Sequence, residues 1–458
     1  MLLKLFNKNY KFIFFVLLLL FLSTRLYILF SPAFSHSDLL SYFYYCIGYF
    51  SDIYQVNTSK YPYFLEYYQL IKNSYPEPCL LLIREIFNFS YRLNNELSYS
   101  LFIFIFRGLG FVLDLLMYLT IFIFCQKYLN KHHKRYAIDA SLIYTVLGFI
   151  LFPVLYDRLD IFLLFMVFIA FLFFIFSRFL LALLFLTMSI LFKLVPLLLS
   201  PLFILPKYRF LSSKLKQPGK RFMPVFSSHW FYSIVLFSSL ITVFCATFYY
   251  FLGPSFFDFL QFHKSRGLHV ESVMSGFLLL CRYFEYPVQL VRGPGSIDIS
   301  FSKAQEFVQL SGLLTITTII ALHAYLFRFY SFAYFYIENT KQAALRAVCI
   351  AASIVVLFTG AFVFSKVLST QYFVWLIPFL ALTLPLFNWY HYVLWLLIFA
   401  FTSFIFPVYF FSDIVPSIMG PSGWGMTLLL CRNSCLILVL ILILRDFYCI
   451  LKPFKSDP

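Results

Sequence analysis

Charge is scarce in this chain: only 12% of its 458 residues are Asp, Glu, Lys or Arg, while 62% are hydrophobic. That balance excludes a soluble globular protein of this length, because too little polar surface remains to meet water. The nine cysteines form no CxxC pair and follow no regular spacing, which excludes a zinc ribbon or a disulfide framework. Most of them fall inside apolar runs, where a thiol behaves as a small hydrophobe. No small-x-small cleavage site follows the first apolar stretch near Ser23, so that stretch reads as an uncleaved first span rather than a removable signal peptide. No internal repeat is visible, which argues against an inverted-repeat transporter.

What is abundant is apolar and aromatic, with 65 Phe and 34 Tyr. Apolar runs long enough to cross a hydrocarbon core of ~30 Å recur from end to end. The chain therefore reads as one membrane-embedded domain, 1–458, with lipid as its main solvent and no soluble domain left over. A net charge of +16 raises the question of nucleic acid, but the basic residues answer it. They gather in short loops: Lys4, Lys8 and Lys11; Lys127, Lys131, Lys134 and Arg135; Lys207 to Arg221; Arg328 to Arg346; Arg445, Lys452 and Lys455. By the positive-inside rule these clusters, roughly 20 basic residues, mark the cytoplasmic face. The charge reports topology, and no nucleic-acid partner is expected.

With the N-terminus inside, the expected fold is an all-α polytopic membrane protein of about 12 transmembrane helices. Spans are expected near Phe12–Phe30, Leu101–Phe124, Ile138–Leu155, Ile161–Phe176, Trp230–Phe251, Ser311–Phe327, Val348–Phe364, Phe373–Phe387, Val393–Phe411 and Met426–Leu444. Two large external loops are expected at 31–100 and 253–309. The stretch Phe179–Leu205 has basic residues at both ends, Arg178 and Lys207, and Lys193 in its middle. One crossing cannot place both ends inside. Two short half-depth helices that meet at Lys193, the second started by Pro196, satisfy the charge rule. Lys193 then faces an external cavity.

The parity of this topology places Asp38, the Asp157-Arg158-Leu159-Asp160 stretch, Lys193, His263 to Glu271 and Lys366 on one external face. A site outside the cell membrane has no supply of nucleotide sugar or ATP. It must use a group carried on a lipid.

The string Ser37-Asp38-Leu39-Leu40-Ser41-Tyr42-Phe43 resembles the external-loop aspartate motif of GT-C glycosyltransferases. Phe192-Lys193-Leu194-Val195-Pro196 resembles the Lys-x-x-Pro element of the bacterial polyprenyl-phosphate-mannose-dependent mannosyltransferases, glycosyltransferase family eighty-seven. The stretch His263 to Ser272 resembles that family's Arg-Gly-Leu-Gln-x-Glu-Ser, and Ser365 to Tyr372 its Ser-Lys-x-x-Ser-Pro-Gln-Tyr. His269 stands where Gln is common, Thr370 where Pro is common, and Glu66-Tyr67-Tyr68 where Glu-Tyr-Pro-Pro is usual.

The resemblance implies a GT-C-like fold in the cell (inner) membrane, with the active site on the non-cytoplasmic side. It implies transfer of a sugar, mannose by likeness alone, from a polyprenyl-phosphate donor to a lipid-linked or cell-envelope glycan acceptor, with inversion. Asp38 is then the catalytic general base, since an acceptor hydroxyl must lose its proton as it attacks the anomeric carbon. Its structural alternative is a cap for the following helix. Lys193, Arg266, Lys366 and His263 are candidates for the donor phosphate. For Lys193 the alternative is an ion pair with Asp160 or Asp114. Glu271, Gln371, Asp157, Arg158 and Asp160 are candidates for holding the acceptor or orienting the others, Glu271 by pairing with Arg266. Asp157-Arg158-Leu159-Asp160 resembles a metal motif, yet its arginine favours an ion network. Nothing in the chain requires a metal or other cofactor. The competing classes are a transporter or flippase of lipid-linked sugars, with the same charges lining a translocation path, and a glycan ligase or polymerase.

Overall fold

A computed structural model describes residues 8–32, 38–51, 53–54, 64–130, 135–204, 228–281, 287–293, 295–333, 341–408 and 424–447. Lys4 and the basic segments 131–134, 207–221 and 452–455 lie outside the described residues. The helices are α1 (Lys8–Phe30), α2 (Asp38–Phe50), α3 (Phe64–Ser74), α4 (Glu77–Asn94), α5 (Tyr99–Phe124) and α6 (Tyr136–Ile150). They continue with α7 (Asp160–Ile175), α8 (Phe179–Phe192), α9 (Ser200–Ile204), α10 (Ser228–Leu252), α11 (Asp258–Ser265) and α12 (Val273–Cys281). The last are α13 (Ala304–Ala333), α14 (Lys341–Phe364), α15 (Ile377–Thr383), α16 (Trp389–Ser403) and α17 (Trp424–Asp446).

Among the described residues, seven helices are long and apolar enough to cross a membrane: α1, α5, α10, α13, α14, α16 and α17. The chain is an α-helical membrane-spanning protein. Five shorter apolar segments account for much of the difference from the expected dozen: Tyr136–Ile150, Asp160–Ile175, Phe179–Phe192, Val195–Ile204 and Thr370–Leu386. The run expected as Ile138–Leu155 stays apolar after the helix ends at Ile150, so hydropathy does not register its end. The run expected as Phe373–Phe387 is three pieces: a 3₁₀ turn at Thr370–Leu376, α15, and a second 3₁₀ turn at Leu384–Leu386. Pro378 and Pro385 open the second and third pieces, where the missing N–H costs nothing.

The break expected at Lys193 is present. Helix α8 stops at Phe192, Lys193 is extended (φ −159°, ψ 131°), and a 3₁₀ turn at Val195–Leu199 with Pro196 in its first turn leads into α9. One proline and one extended residue thus turn an unbroken apolar run into two pieces.

The most enclosed span is α14, with 89% of its apolar window buried, against 6% for α10 and 17% for α13. Its small residues Ala344, Ala347, Ala351, Ala352 and Ser353 are buried and let neighbouring backbones approach closely. At Gly360 a Cβ would stand 2.4 Å from Leu322 of α13.

Buried charges tie the first spans together. Arg25 of α1, fully buried, donates from Nε to Asp114 of α5 at 2.8 Å and from Nη1 to the Thr145 carbonyl of α6 at 3.0 Å. Asp114 also accepts from the Tyr144 and Tyr156 hydroxyls at 2.6 and 2.7 Å. Three buried donors thus meet this one carboxylate and offset the cost of burying it. Gly148 makes room for the Arg25 guanidinium, since a Cβ there would stand 2.1 Å from its Nη2.

The described residues of the two stretches expected as external loops form helices and strands. Residues 31–100 carry α2, α3 and α4, and α2 buries Leu39, Tyr42, Phe43, Tyr45, Cys46, Ile47 and Phe50 in the core. Residues 253–309 carry α11, α12 and a sheet absent from the all-α expectation. Strands β1 (Leu268–His269), β2 (Gln289–Gly293) and β3 (Ser296–Ser300) form an antiparallel sheet of order β1-β3-β2, with Leu268 opposite Ile299 and Val291 opposite Asp298. The Asp298 carboxylate accepts from the Gly267 N–H at 2.9 Å and the Ser296 hydroxyl at 2.8 Å. Only glycine fits at 267 and 293, where a Cβ would approach that carboxylate to 2.8 and 2.0 Å.

Candidate functional site

Seven of the ten residues singled out in the sequence line one cavity of about 940 Å³: Asp38, Arg158, Lys193, His263, Arg266, Glu271 and Gln371. They come from α2, the turn before α7, the break after α8, α11, the sheet region and the 3₁₀ turn after α14. Chain segments more than 300 residues apart in sequence meet there.

Asp38 is the first residue of α2, where the helix dipole favours a carboxylate. Its Oδ2 accepts from Arg158 Nη1, from the Tyr42 hydroxyl at 3.3 Å and from the Tyr75 hydroxyl at 3.4 Å. The two tyrosine hydroxyls are 3.1 Å apart. The Asp38 side chain keeps 21% exposure, so cavity solvent and small groups can reach it. The Arg158 guanidinium also lies over the Phe406 ring, 5.8 Å from its centroid.

Lys193 has both roles weighed for it within reach. Its Nζ is 2.9 Å from Asp160 Oδ1, whose second donor is Trp375 Nε1 at 2.8 Å. The ammonium stands 5.4 and 5.1 Å from the Tyr372 and Trp375 rings, which stack on each other at 4.7 Å. Asp160 is therefore the pair, Asp114 being taken by Arg25. Asp157 does not line the cavity either. It pairs with Arg107 of α5 at 2.6 and 3.0 Å, and Arg107 reaches on to the Ser31 carbonyl at 2.5 Å. The Asp157-Arg158-Leu159-Asp160 stretch thus serves three different ion pairs. Among the described residues, no three His, Cys, Asp or Glu come close enough to hold a metal.

Arg266 follows α11 in an extended conformation (φ −64°, ψ 134°). Its Nε is buried without a hydrogen-bond partner, and among the described residues no carboxylate pairs with its guanidinium. Lys366, expected at the same phosphate, is not part of the cavity lining. It donates to the Arg266 carbonyl at 2.7 Å and the Lys264 carbonyl at 3.2 Å, and so fixes the loop that carries Arg266. His269 joins the same two segments: its N–H donates to the Lys366 carbonyl at 2.9 Å, and its Nδ1 lies 2.6 Å from the Leu368 carbonyl. The motif-like stretches 263–272 and 365–372 are thereby one unit in space.

His263 sits among cations. Burial, then Arg266, Lys193 and Lys366, push its imidazole down to about 4, so it is neutral at pH 7. The unfolded imidazole takes up a proton below about 6.5, and the native one only near 4. Native stability therefore rises between pH 4 and 6.5 and levels off above. The thermal midpoint of the detergent-purified protein should follow that course, and His263→Gln should flatten it. A residual slope of the same sign is expected from His269, which burial and Arg266 push down to about 3.

Glu271 is 3% exposed, and its partner is Arg432 of α17 rather than Arg266. Arg432 Nη1 is 3.2 Å from Glu271 Oε2, and Nη2 donates to the Glu271 carbonyl. Asn433 donates to the Ser272 carbonyl at 3.2 Å, and the Thr370 hydroxyl lies 3.5 Å from Glu271. Burial raises the Glu271 carboxyl above its ordinary value, opposed by Arg432. Arg432 is absent from the sequence-derived set, although an arginine inside the last apolar run, Cys431-Arg432-Asn433-Ser434-Cys435, was itself a signal. Gln371 is 8% exposed, with Oε1 buried and without a partner.

The cavity thus holds a reachable carboxylate, a guanidinium that no described carboxylate pairs, a tethered ammonium beside two aromatic rings, and a neutral imidazole. Such a set can take a proton from a hydroxyl and hold a phosphate. No protein-family model matches this chain, and no curated protein matches its sequence.

Proposed function

We propose that this protein is a membrane glycosyltransferase that moves a sugar from a polyprenyl-phosphate donor to a lipid-linked or cell-envelope glycan acceptor. By its motif resemblance the sugar is mannose, the membrane the inner membrane, and the working face non-cytoplasmic. One observation carries the reading: Asp38 lines the same cavity as Arg266, whose buried Nε has no partner among the described residues.

In the proposed reaction the acceptor hydroxyl attacks the anomeric carbon from the side opposite the phosphate, and Asp38 takes its proton. The anomeric C–O bond to phosphate breaks, and its electron pair leaves on the phosphate oxygen. Arg266 and Lys193 stabilise the charge gathering there. Arg158, held against Asp38, keeps the carboxylate in place for attack. The leading alternative, a transporter, would use the same charges without making a bond.

Binding tests the donor side directly. The wild type should bind a polyprenyl-phosphate hexose in detergent and ignore the corresponding nucleotide sugar. Arg266→Met should weaken that binding about 10–100-fold, the worth of a charge-assisted hydrogen bond, with little change in thermal midpoint, because no carboxylate loses its partner. Equal affinity of wild type and variant for the donor would remove Arg266 from the phosphate site. Preference for the nucleotide sugar would overturn the lipid-donor reading.

A further inference from the structure

The cavity wall carries two polar atoms that the protein itself leaves unsatisfied: Arg266 Nε, a donor, and Gln371 Oε1, an acceptor. The first is accounted for by an anion. The second is not, since a phosphate oxygen offers no proton to an amide oxygen.

A buried amide oxygen without a partner costs free energy until a donor arrives. Gln371 is more than nine-tenths buried, so bulk water is a poor substitute. Its backbone is held by the 3₁₀ turn Thr370–Leu376, with the neighbouring side chains already engaged. Thr370 reaches Glu271, and the Tyr372 ring lies under the Lys193 ammonium. Of the cavity-lining residues of this turn, Gln371 is the one with a buried side-chain atom that has no partner among the described residues. Gln371 and Lys193, the latter proposed at the donor phosphate, line the same cavity.

We propose that Gln371 is a specificity residue that reads one hydroxyl of the transferred sugar. The inference rests on the glycosyltransferase reading above. A hydroxyl suits the position because it both donates and accepts, and so satisfies the carboxamide in either orientation. A ring carbon bearing only hydrogen leaves the amide buried and unpaired.

The experiment compares transfer from the parent polyprenyl-phosphate mannose with transfer from its monodeoxy analogues, each lacking one hydroxyl, in wild type, Gln371→Met and Gln371→Glu. The wild type should reject one analogue by about 10–100-fold in kcat/KM, the effect of stranding a buried polar group. Gln371→Met, similar in length and without an acceptor oxygen, should accept parent and that analogue nearly alike. Gln371→Glu keeps an oxygen at the same reach and should restore the discrimination, which also serves if the Met variant fails to fold. An unchanged discrimination pattern in Gln371→Met, with transfer intact, would overturn the role of Gln371 and leave the enzyme reading standing. Loss of discrimination in Gln371→Glu as well as Gln371→Met would also overturn it. No transfer from any donor by the wild type would overturn both.

Discussion

Asp38→Asn is expected to lower turnover by ~10²-fold or more while donor binding persists, because the amide keeps the size and hydrogen bonding of the carboxylate but cannot accept the acceptor's proton. Asn can still receive the Tyr42 and Tyr75 hydroxyls and one Arg158 N–H, the contacts that Asp38 Oδ2 makes. A role limited to starting α2 would leave the substitution nearly silent, since Asn begins helices as well as Asp. Arg158→Gln separates a lost base from a lost ion pair. It breaks the same pair but leaves the carboxylate free to take a proton, so it should cost less than Asp38→Asn. Product formation, donor affinity and thermal midpoint are measured on the same preparations. Near wild-type turnover in Asp38→Asn would move the base elsewhere in the cavity, to Glu271 or His263.

Arg432→Met should be the most destabilising change near the site. The guanidinium is fully buried, and its removal strands Glu271, which is 3% exposed, with only the Thr370 hydroxyl at 3.5 Å. Breaking a buried pair from one side costs about 3–5 kcal/mol. The double variant Arg432→Met, Glu271→Leu removes both charges and should recover a large part of the loss, although the Asn433 and Ser272 contacts remain in place. Thermal midpoints in one detergent, across the two single variants and the double, test this. Additive losses would mean that the two residues are not coupled.

Much of the site was legible because charge is rare in this chain. A lysine in the middle of an apolar run, an aspartate just after the first span and an Arg-Gly stretch between spans each stand out, and topology alone put them on one face. The partners were less legible. Arg25, Arg107 and Arg432 lie inside runs that hydropathy reads as plain spans, and pairing across 50 to 161 residues leaves no local pattern. Proximity in sequence suggests Arg266 as the partner of Glu271, whereas the packing of α17 brings Arg432 to it. Lys366 falls between spans as expected, yet the turn that follows aims its ammonium at backbone carbonyls.

The fold was read unevenly for similar reasons. The long helices follow from apolar runs, and the break at Lys193 from its charge and Pro196. The small sheet has strands of two to five residues, too short for an alternating pattern to emerge. Apart from Thr370, Gln371 and Thr383, segment 370–386 is apolar or aromatic, so its division into three pieces depends on Pro378 and Pro385 and on burial inside the bundle. Residues 31–100 are rich in Tyr, Ser and Asn and suggest a loop, but α2 turns its apolar side into the core. That burial is what carries Asp38 to the cavity.

The most direct measurement follows the sugar itself. Purified protein in proteoliposomes is given polyprenyl-phosphate mannose with a labelled sugar and a panel of lipid-linked acceptors, and both products are quantified. The account predicts labelled acceptor and free polyprenyl phosphate in equal amounts from the wild type, and both lowered by ~10²-fold or more in Asp38→Asn. Movement of intact donor across the bilayer, with no new glycosidic bond on any acceptor, would contradict it.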